Sequence, residues 1–406
     1  MKEKTIVITL GLLPFLMVLG NSMLIPILPT IQSALVLSNF QTGLVLSAFS
    51  IPAAILIPLI GIISDRYGRK RIIIISLVTM ILGSICAAFS GFISSNQTAF
   101  HVLITGRVIQ GVGAAGTTTL AMALTGDLFQ NEQRSKVLGI LEVYNGVGKV
   151  ISPIIGATAA ILNWYSAFFV YPVVAVIALI GLLLYVRESI EGKDTLSVPT
   201  YIKKVTGVWK REQDWLLPLF FVGGLGLFLL FGTLYYLSFL IEETYHIDGF
   251  FKGTAFLFPL GAMTITSYWT GKKIKNNHLH MNKLMILGFS LLLVMFLLLI
   301  FFHTLAFIML FLTIAFAGLG FILPCANMLI TSSVKDEERG FMVSLYGTVR
   351  FLGVALGPIV FAKWMKDEER MFTNSFFLLL FAGVWVGYKM NLFKVIRAFR
   401  SSETKR

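Results

Sequence analysis

From Thr5 to Ser64 the chain has no Asp, Glu, Lys or Arg, and it has none again from Ile72 to Gly106. The charges between these runs crowd into one short stretch, SDRYGRKR, from Ser64 to Arg71. A helix crossing a hydrocarbon core ~30 Å thick, at ~1.5 Å per residue, needs about 20 apolar residues. Both runs are long enough, and the charged stretch between them has the length of a tight turn joining two crossings. The rest of the chain has the same character: 56% hydrophobic residues, 13% charged residues and a mean hydropathy of +0.84. No ordinary soluble domain has that composition.

Twelve segments qualify as helical membrane spans: 6–28, 42–63, 72–93, 100–126, 137–160, 165–186, 216–240, 254–271, 284–302, 305–330, 341–362 and 372–390. A membrane β-barrel would show short alternating segments instead of unbroken runs such as Leu284 to Val334. The expected class is therefore an all-α polytopic membrane protein. Its first span follows only Lys2, Glu3 and Lys4, is longer than the apolar region of a signal peptide and has no small-residue cleavage site, so we read it as retained. Cys86 and Cys325 both fall inside spans, where they read as small packed hydrophobes and not as a disulfide or metal framework. No metal site and no cofactor is expected.

The net charge of +13 could point to nucleic acid, but its distribution points to a membrane. With the N-terminus inside, 26 of the 33 Lys and Arg lie on the cytoplasmic side, four (Lys252, Lys363, Lys366 and Arg370) lie outside and three lie within spans. This is the positive-inside asymmetry, and it predicts a multi-pass protein of the cell membrane with both termini cytoplasmic. The basic stretch from Lys389 to Arg406 reads as an anchor beside anionic lipid. No nucleic-acid partner is expected, and the chain is expected to work as a monomer in the bilayer.

The longest polar stretch, Arg187 to Asp214, carries eleven charged residues and divides the spans six and six. The halves also match each other. NEQRSKVLGILEVYNGVGKVISP from Asn131 aligns without a gap to DEERGFMVSLYGTVRFLGVALGP from Asp336, pairing Glu132 with Glu337, Arg134 with Arg339, Gly148 with Gly353 and Pro153 with Pro358. Duplication of a six-helix unit explains this. The expected organisation is an N-terminal bundle over 1–186, a cytoplasmic linker over 187–214 and a C-terminal bundle over 215–406.

The loop pattern Gly61-x-x-x-Asp65-Arg66-x-Gly68-Arg69-Lys70 resembles the loop signature of the major facilitator superfamily of transporters. As an orientation signal alone, the loop needs only its bases, which leaves Asp65, Gly61 and Gly68 unexplained. The resemblance implies a cytoplasmic latch in which Asp65 meets the start of span eleven near Gly340, where a helix dipole favours an anion, and Arg69 pairs with Asp127. The matching loop of the second half, TGKKIKNNH from Thr270, keeps bases but has no acid, so one latch is expected. The resemblance also implies two six-helix bundles with a substrate site near mid-membrane.

Three further elements extend the resemblance to the twelve-span drug/proton antiporter branch. Span five carries Gly139, Gly148, Ser152, Pro153, Gly156 and Ala157 at the spacing G-x8-G-x3-G-P-x2-G-G, with Ser152 and Ala157 replacing glycines. This is similar to the signature of exporters, and in physical terms it makes a smooth, bendable face; generic small-residue packing would use the same residues. Span one has LGNSMLIPILP, with Asn21 and no carboxylate. Span four has Arg107-x-x-Gln110-Gly111, similar to a second family signature. A buried Arg107 should face either a cavity or a structural partner such as a carbonyl. The Gly111-x-Gly113-x-x-Gly116 segment fits a nucleotide-binding pattern, but it lies mid-span with no preceding strand, so helix packing is the better reading.

Within the spans the ionisable residues are Arg107, Glu142, Lys149 and Arg350. Glu142, Asn145 and Lys149 share one face of span five, and Arg350 occupies the repeat position of Asn145. Glu142 is the acid deepest in a span, hence either the candidate for proton coupling or one half of a static ion pair. Asn21, Arg107, Asn145, Lys149 and Arg350 are the candidate lining of a substrate cavity. Lys149 and Arg350 make that cavity attractive to an anionic or metal-chelating molecule, such as a siderophore-like compound. The expected function is efflux of a small amphipathic molecule by proton antiport through alternating access. Proton- or ion-coupled import is the alternative, which the span-five pattern disfavours. An enzyme would need clustered His, Asp or Cys, and the five His lie in or near loops; no soluble domain or pore filter suggests a sensor or channel.

Overall fold

The computed structural model describes residues 2–186, 198–274, 278–332 and 336–389; it is helical throughout, with no strand among those residues. The core of the expected linker, 187–197, and the basic tail from 390 lie outside them. Among the described residues, eleven helices are long and apolar enough to cross a membrane. The eighth expected span is the exception. It is divided at Phe256 into Gly249–Ala255 and Leu257–Lys273, and neither piece alone has the length. Span one is also divided, into Lys2–Ser22, a turn at Ile25–Ile27 and Leu28–Leu35, and span four into Asn96–Ala114 and Thr118–Leu128. Spans two, three, five and six are Asn39–Tyr67, Arg69–Phe89, Asn131–Ala160 and Ala167–Tyr185. Span seven begins earlier than expected. Helix Val198–Phe239 runs through the second part of the proposed linker, with Pro199 in its first turn, where a proline is tolerated. Spans nine to twelve are His278–Leu299, Leu305–Ser332, Asp336–Trp364 and Glu368–Lys389.

Local sequence explains several of these boundaries. Ser38 starts span two with a capping box: its hydroxyl accepts from the Gln41 amide, and the Gln41 side chain accepts from the Ser38 amide at 2.9 Å. Spans two and three are separated by one residue, Gly68, at φ +93°, a conformation that favours glycine.

The chain forms two compact units that do not follow the halves of the sequence. One comprises residues 1–197 together with 231–257 and 354–363; the other comprises 198–230, 258–353 and 364–406. In the first unit, spans three and four cross through small residues: a Cβ at Gly83 would strike Gln110, and one at Gly106 would strike Ala87. The nucleotide-like glycines pack in the same way, Gly111 on the Phe49 carbonyl and Gly113 on Ser76 and Met80. Small residues permit this approach in a membrane, where no water competes and van der Waals contact dominates. The second unit repeats it, with Gly288 and Gly318 packed on each other. The fifth span packs on the first where Gly148 meets Phe15, and the eleventh packs on the seventh where Gly353, the repeat partner of Gly148, meets Gly224. The internal repeat is thus legible in packing as well as in sequence.

Candidate functional site

At the charged turn, Arg69 reaches both acids that the sequence offered it. Its Nη1 lies 2.7 Å from Asp127 Oδ2 and its Nη2 lies 3.2 Å from Asp65 Oδ1. The same guanidinium donates to the Ala123 carbonyl at 2.6 Å, tying the turn to the end of span four. Asp65 remains half exposed and Arg66 is exposed. Gly340, the expected landing place of Asp65, lies outside the residues whose surroundings are described. Open space surrounds the position of a Cβ at Gly61, so close helix approach does not explain this glycine.

Arg107 is fully buried in the first unit, and none of its described hydrogen-bond partners is a carboxylate. Its Nε donates to the Val45 carbonyl at 2.9 Å, and its Nη2 to the Gly20 carbonyl at 2.8 Å. Its Nη1 donates to Gln110 Oε1 at 2.6 Å, while the Phe49 ring lies 4.7 Å from Cζ. Asn21, 3% exposed, accepts from Arg107 at 3.4 Å and donates to Ser50 Oγ at 3.0 Å. Both residues were candidates for a cavity wall, with a carbonyl partner as the alternative for Arg107. The hydrogen bonds match that alternative, and the two residues stitch spans one, two and four together. They are left out of the substrate contacts proposed below.

On span five, Gly148 fits against Phe15 and Gly156 against the Met23 carbonyl; Ser152 donates to the Gly148 carbonyl at 2.5 Å. The next positions, Pro153, Ile154 and Ala157, pack on Gly253 of the short helix before Leu257, where a glycine Cβ would come within 2.9–3.0 Å. Gly139 has no such neighbour. Close by on the same side of the helix, Glu142 is exposed, while Asn145 and Lys149 are partly buried. Glu142 makes no ion pair among the described residues, so the static-pair alternative gains no support.

Several functional-looking residues escaped the sequence reading. Lys252, taken for an outer-loop base, is fully buried, with its Nζ 2.5 Å from Glu242 Oε2. The flanking GFF and GTAF were a usable signal, since a lone base in an apolar stretch needs a partner. Nearby, Ser238 donates to the Ile25 carbonyl at 2.7 Å, Tyr235 to the Asn39 carbonyl at 2.8 Å and Ser47 to the Ala355 carbonyl at 2.5 Å. These bonds fasten the ends of spans seven and eleven to spans one and two within the first unit. In the second unit Arg350 is partly buried, with its Cζ 5.6 Å from the Tyr346 ring. Among the described residues no His, Cys, Asp or Glu group is placed to hold a metal ion, and both cysteines are free thiols.

Paired bundles of membrane helices, an internal repeat, the acid-bearing turn and a glycine-rich fifth span define a class of secondary transporter. The Major Facilitator Superfamily model matches residues 10–358, and the chain belongs to that family. It is 38% identical over 365 residues to the bacillibactin exporter of Bacillus subtilis (strain 168), covering 89% of this chain and 90% of that protein. A shorter match, 30% over 190 residues, links it to the class H tetracycline resistance protein of Pasteurella multocida, covering 46% of this chain and 45% of that protein. Among solved structures, a bacterial homologue of the lysosomal transporter Spinster superposes with a TM-score of 0.75 at 16% identity, covering 97% of this chain and 98% of the other. The D-xylose–proton symporter gives 0.71 at 15% identity, covering 97% and 98%. At such identities these two structures speak for the fold alone. The chain is a membrane transport protein and not an enzyme, and its exporter relatives support efflux.

Proposed function

We propose that the protein exports an anionic, metal-chelating small molecule, bacillibactin or a compound like it, in exchange for protons. The observation that carries this reading is 38% identity to a bacillibactin exporter along nearly the whole length of both chains. The residues are compatible with such a cargo. Lys149 on span five and Arg350 on span eleven supply positive charge deep in the membrane, where a charged group is expensive unless it serves a pathway. Glu142, exposed on the same face as Lys149, is the proposed proton carrier. Substrate anion and carboxylate then compete for the same local positive charge, so loading one favours release of the other.

Movement follows from two fastenings. Arg69 and Asp127 hold the charged turn in place on the first half, from which Asp65 reaches the start of span eleven as the proposed cytoplasmic latch, with both termini on that side. The hydrogen bonds of Ser238, Tyr235 and Ser47, together with the seat of Gly253 on span five, form the proposed outer seal. The six-helix halves, 1–186 and 215–406, are the proposed moving bodies, and the chain works as a monomer. The test is bacillibactin uptake into everted membrane vesicles with the lumen made acidic. Uptake that rises with the gradient and falls when it is collapsed is the expected outcome; uptake indifferent to the gradient removes the antiport claim.

A further inference from the structure

Arg350 stands at the midpoint of the helix Asp336–Trp364, with Tyr346 one turn before it on the same face. Tyr346 is 1% exposed, and its hydroxyl has no hydrogen-bond partner among the described residues. The Nε of Arg350 is also buried and unpartnered, and no described carboxylate pairs with the guanidinium. Two donors are therefore left unpaired one turn apart in a helix of membrane-spanning length. Buried polar groups are satisfied almost everywhere else in proteins. Arg107 makes the contrast within this chain, since carbonyls and side-chain oxygens occupy its guanidinium. The Tyr346 ring is also held in place. Phe220 packs edge-on at 5.6 Å, and Gly223 gives the ring room where a Cβ would collide with it. The hydroxyl is thus held beside a guanidinium lying 5.6 Å from its own ring, both are covered in this conformation, and an acceptor reaches them only when the surrounding helices part.

We propose that Arg350 and Tyr346 form an oxyanion clamp for the transported molecule. The guanidinium takes one or two substrate oxygens through its fork, and the phenol donates to a neighbouring oxygen; carboxylate and phenolate groups both have this chemistry. A neutral analogue leaves both donors open, so the clamp selects anions by the cost of its own unpaired groups. Tyr346 is thereby a specificity-determining residue. The inference rests on the anionic cargo proposed above.

The test uses the full chain in lipid nanodiscs, with quenching of the six tryptophans as the binding signal. The probes are bacillibactin, salicylate and neutral methyl salicylate. Tyr346→Phe removes one oxygen and is expected to weaken both anions about tenfold, the worth of one hydrogen bond to a charged partner, while leaving the ester unchanged. Arg350→Gln is expected to lose at least as much, with partial recovery in Arg350→Lys. If Arg350→Gln fails to fold, Tyr346→Phe still decides. Anion binding by the wild type that Tyr346→Phe does not alter overturns the clamp and leaves the cargo standing. Salicylate binding that depends on both residues, without bacillibactin binding, supports the clamp and overturns the cargo. Binding of neither anion overturns both.

Discussion

Arg107 and Arg350 are both arginines inside membrane helices, yet their surroundings give them different work. Arg107 donates to two backbone carbonyls and two side-chain oxygens, so its removal leaves several buried acceptors unpaired. Arg107→Leu should destabilise the folded protein by about 3 kcal/mol, read as a lower melting temperature in detergent. Arg350→Gln should leave melting within a few degrees and change anion binding instead. Equal melting losses in the two variants would contradict this division. Glu142→Gln should retain substrate binding and lose the response of transport to a proton gradient; full gradient-driven activity would remove Glu142 from coupling. All four charged span residues lie within helices, Arg107 in Asn96–Ala114, Glu142 and Lys149 in Asn131–Ala160 and Arg350 in Asp336–Trp364. The sequence could not separate the structural arginine from the open one, because that difference depends on which carbonyls come within reach across helices. The same blindness affected Lys252, whose partner lies ten residues back, around a turn, on another helix.

At the scale of elements, span five and the short helix Gly249–Ala255 form the tightest described contact of the proposed outer seal. Gly253→Val would push side-chain atoms into Ala157, Ile154 and the Pro153 carbonyl. It should cost about 1–3 kcal/mol through overpacking, with the loss visible in thermal melting and in slowed transport. Lys252→Met should cost about 1–3 kcal/mol because it leaves Glu242 beside its apolar neighbours without a counter-charge, whereas Lys252→Met with Glu242→Gln should recover most of the loss. No recovery in the double variant would mean that Lys252 acts through something other than that pair. Span positions were legible from hydropathy because each helix must bury its backbone polar groups internally. The break at Phe256 and the run of span seven back to Val198 were not legible. Hydropathy records where a helix can lie in lipid, and it is silent on where a helix bends or continues through polar residues.

For the whole molecule, the internal repeat carries the strongest structural statement. Its alignment of Gly148 with Gly353 reappears as equivalent packing on spans one and seven, so duplication of the bundle is physical as well as textual. The turn at Gly68 departs from that symmetry, since its acid has no counterpart in the second-half loop, and the proposed latch is one-sided for that reason. The division of the chain into compact units was not legible in the sequence. It depends on the ends of spans seven, eight and eleven joining the first unit, a matter of contacts made in one conformation. Cargo direction and coupling belong to this scale, because they require every span at once. The most direct measurement is the internal pH of everted vesicles, reported by a trapped dye, when bacillibactin is added outside. Proton exchange predicts that the lumen turns alkaline as substrate enters, that the signal needs the protein, and that Glu142→Gln abolishes it. An unchanged lumen during uptake, or one that turns acidic, would contradict proton-coupled export.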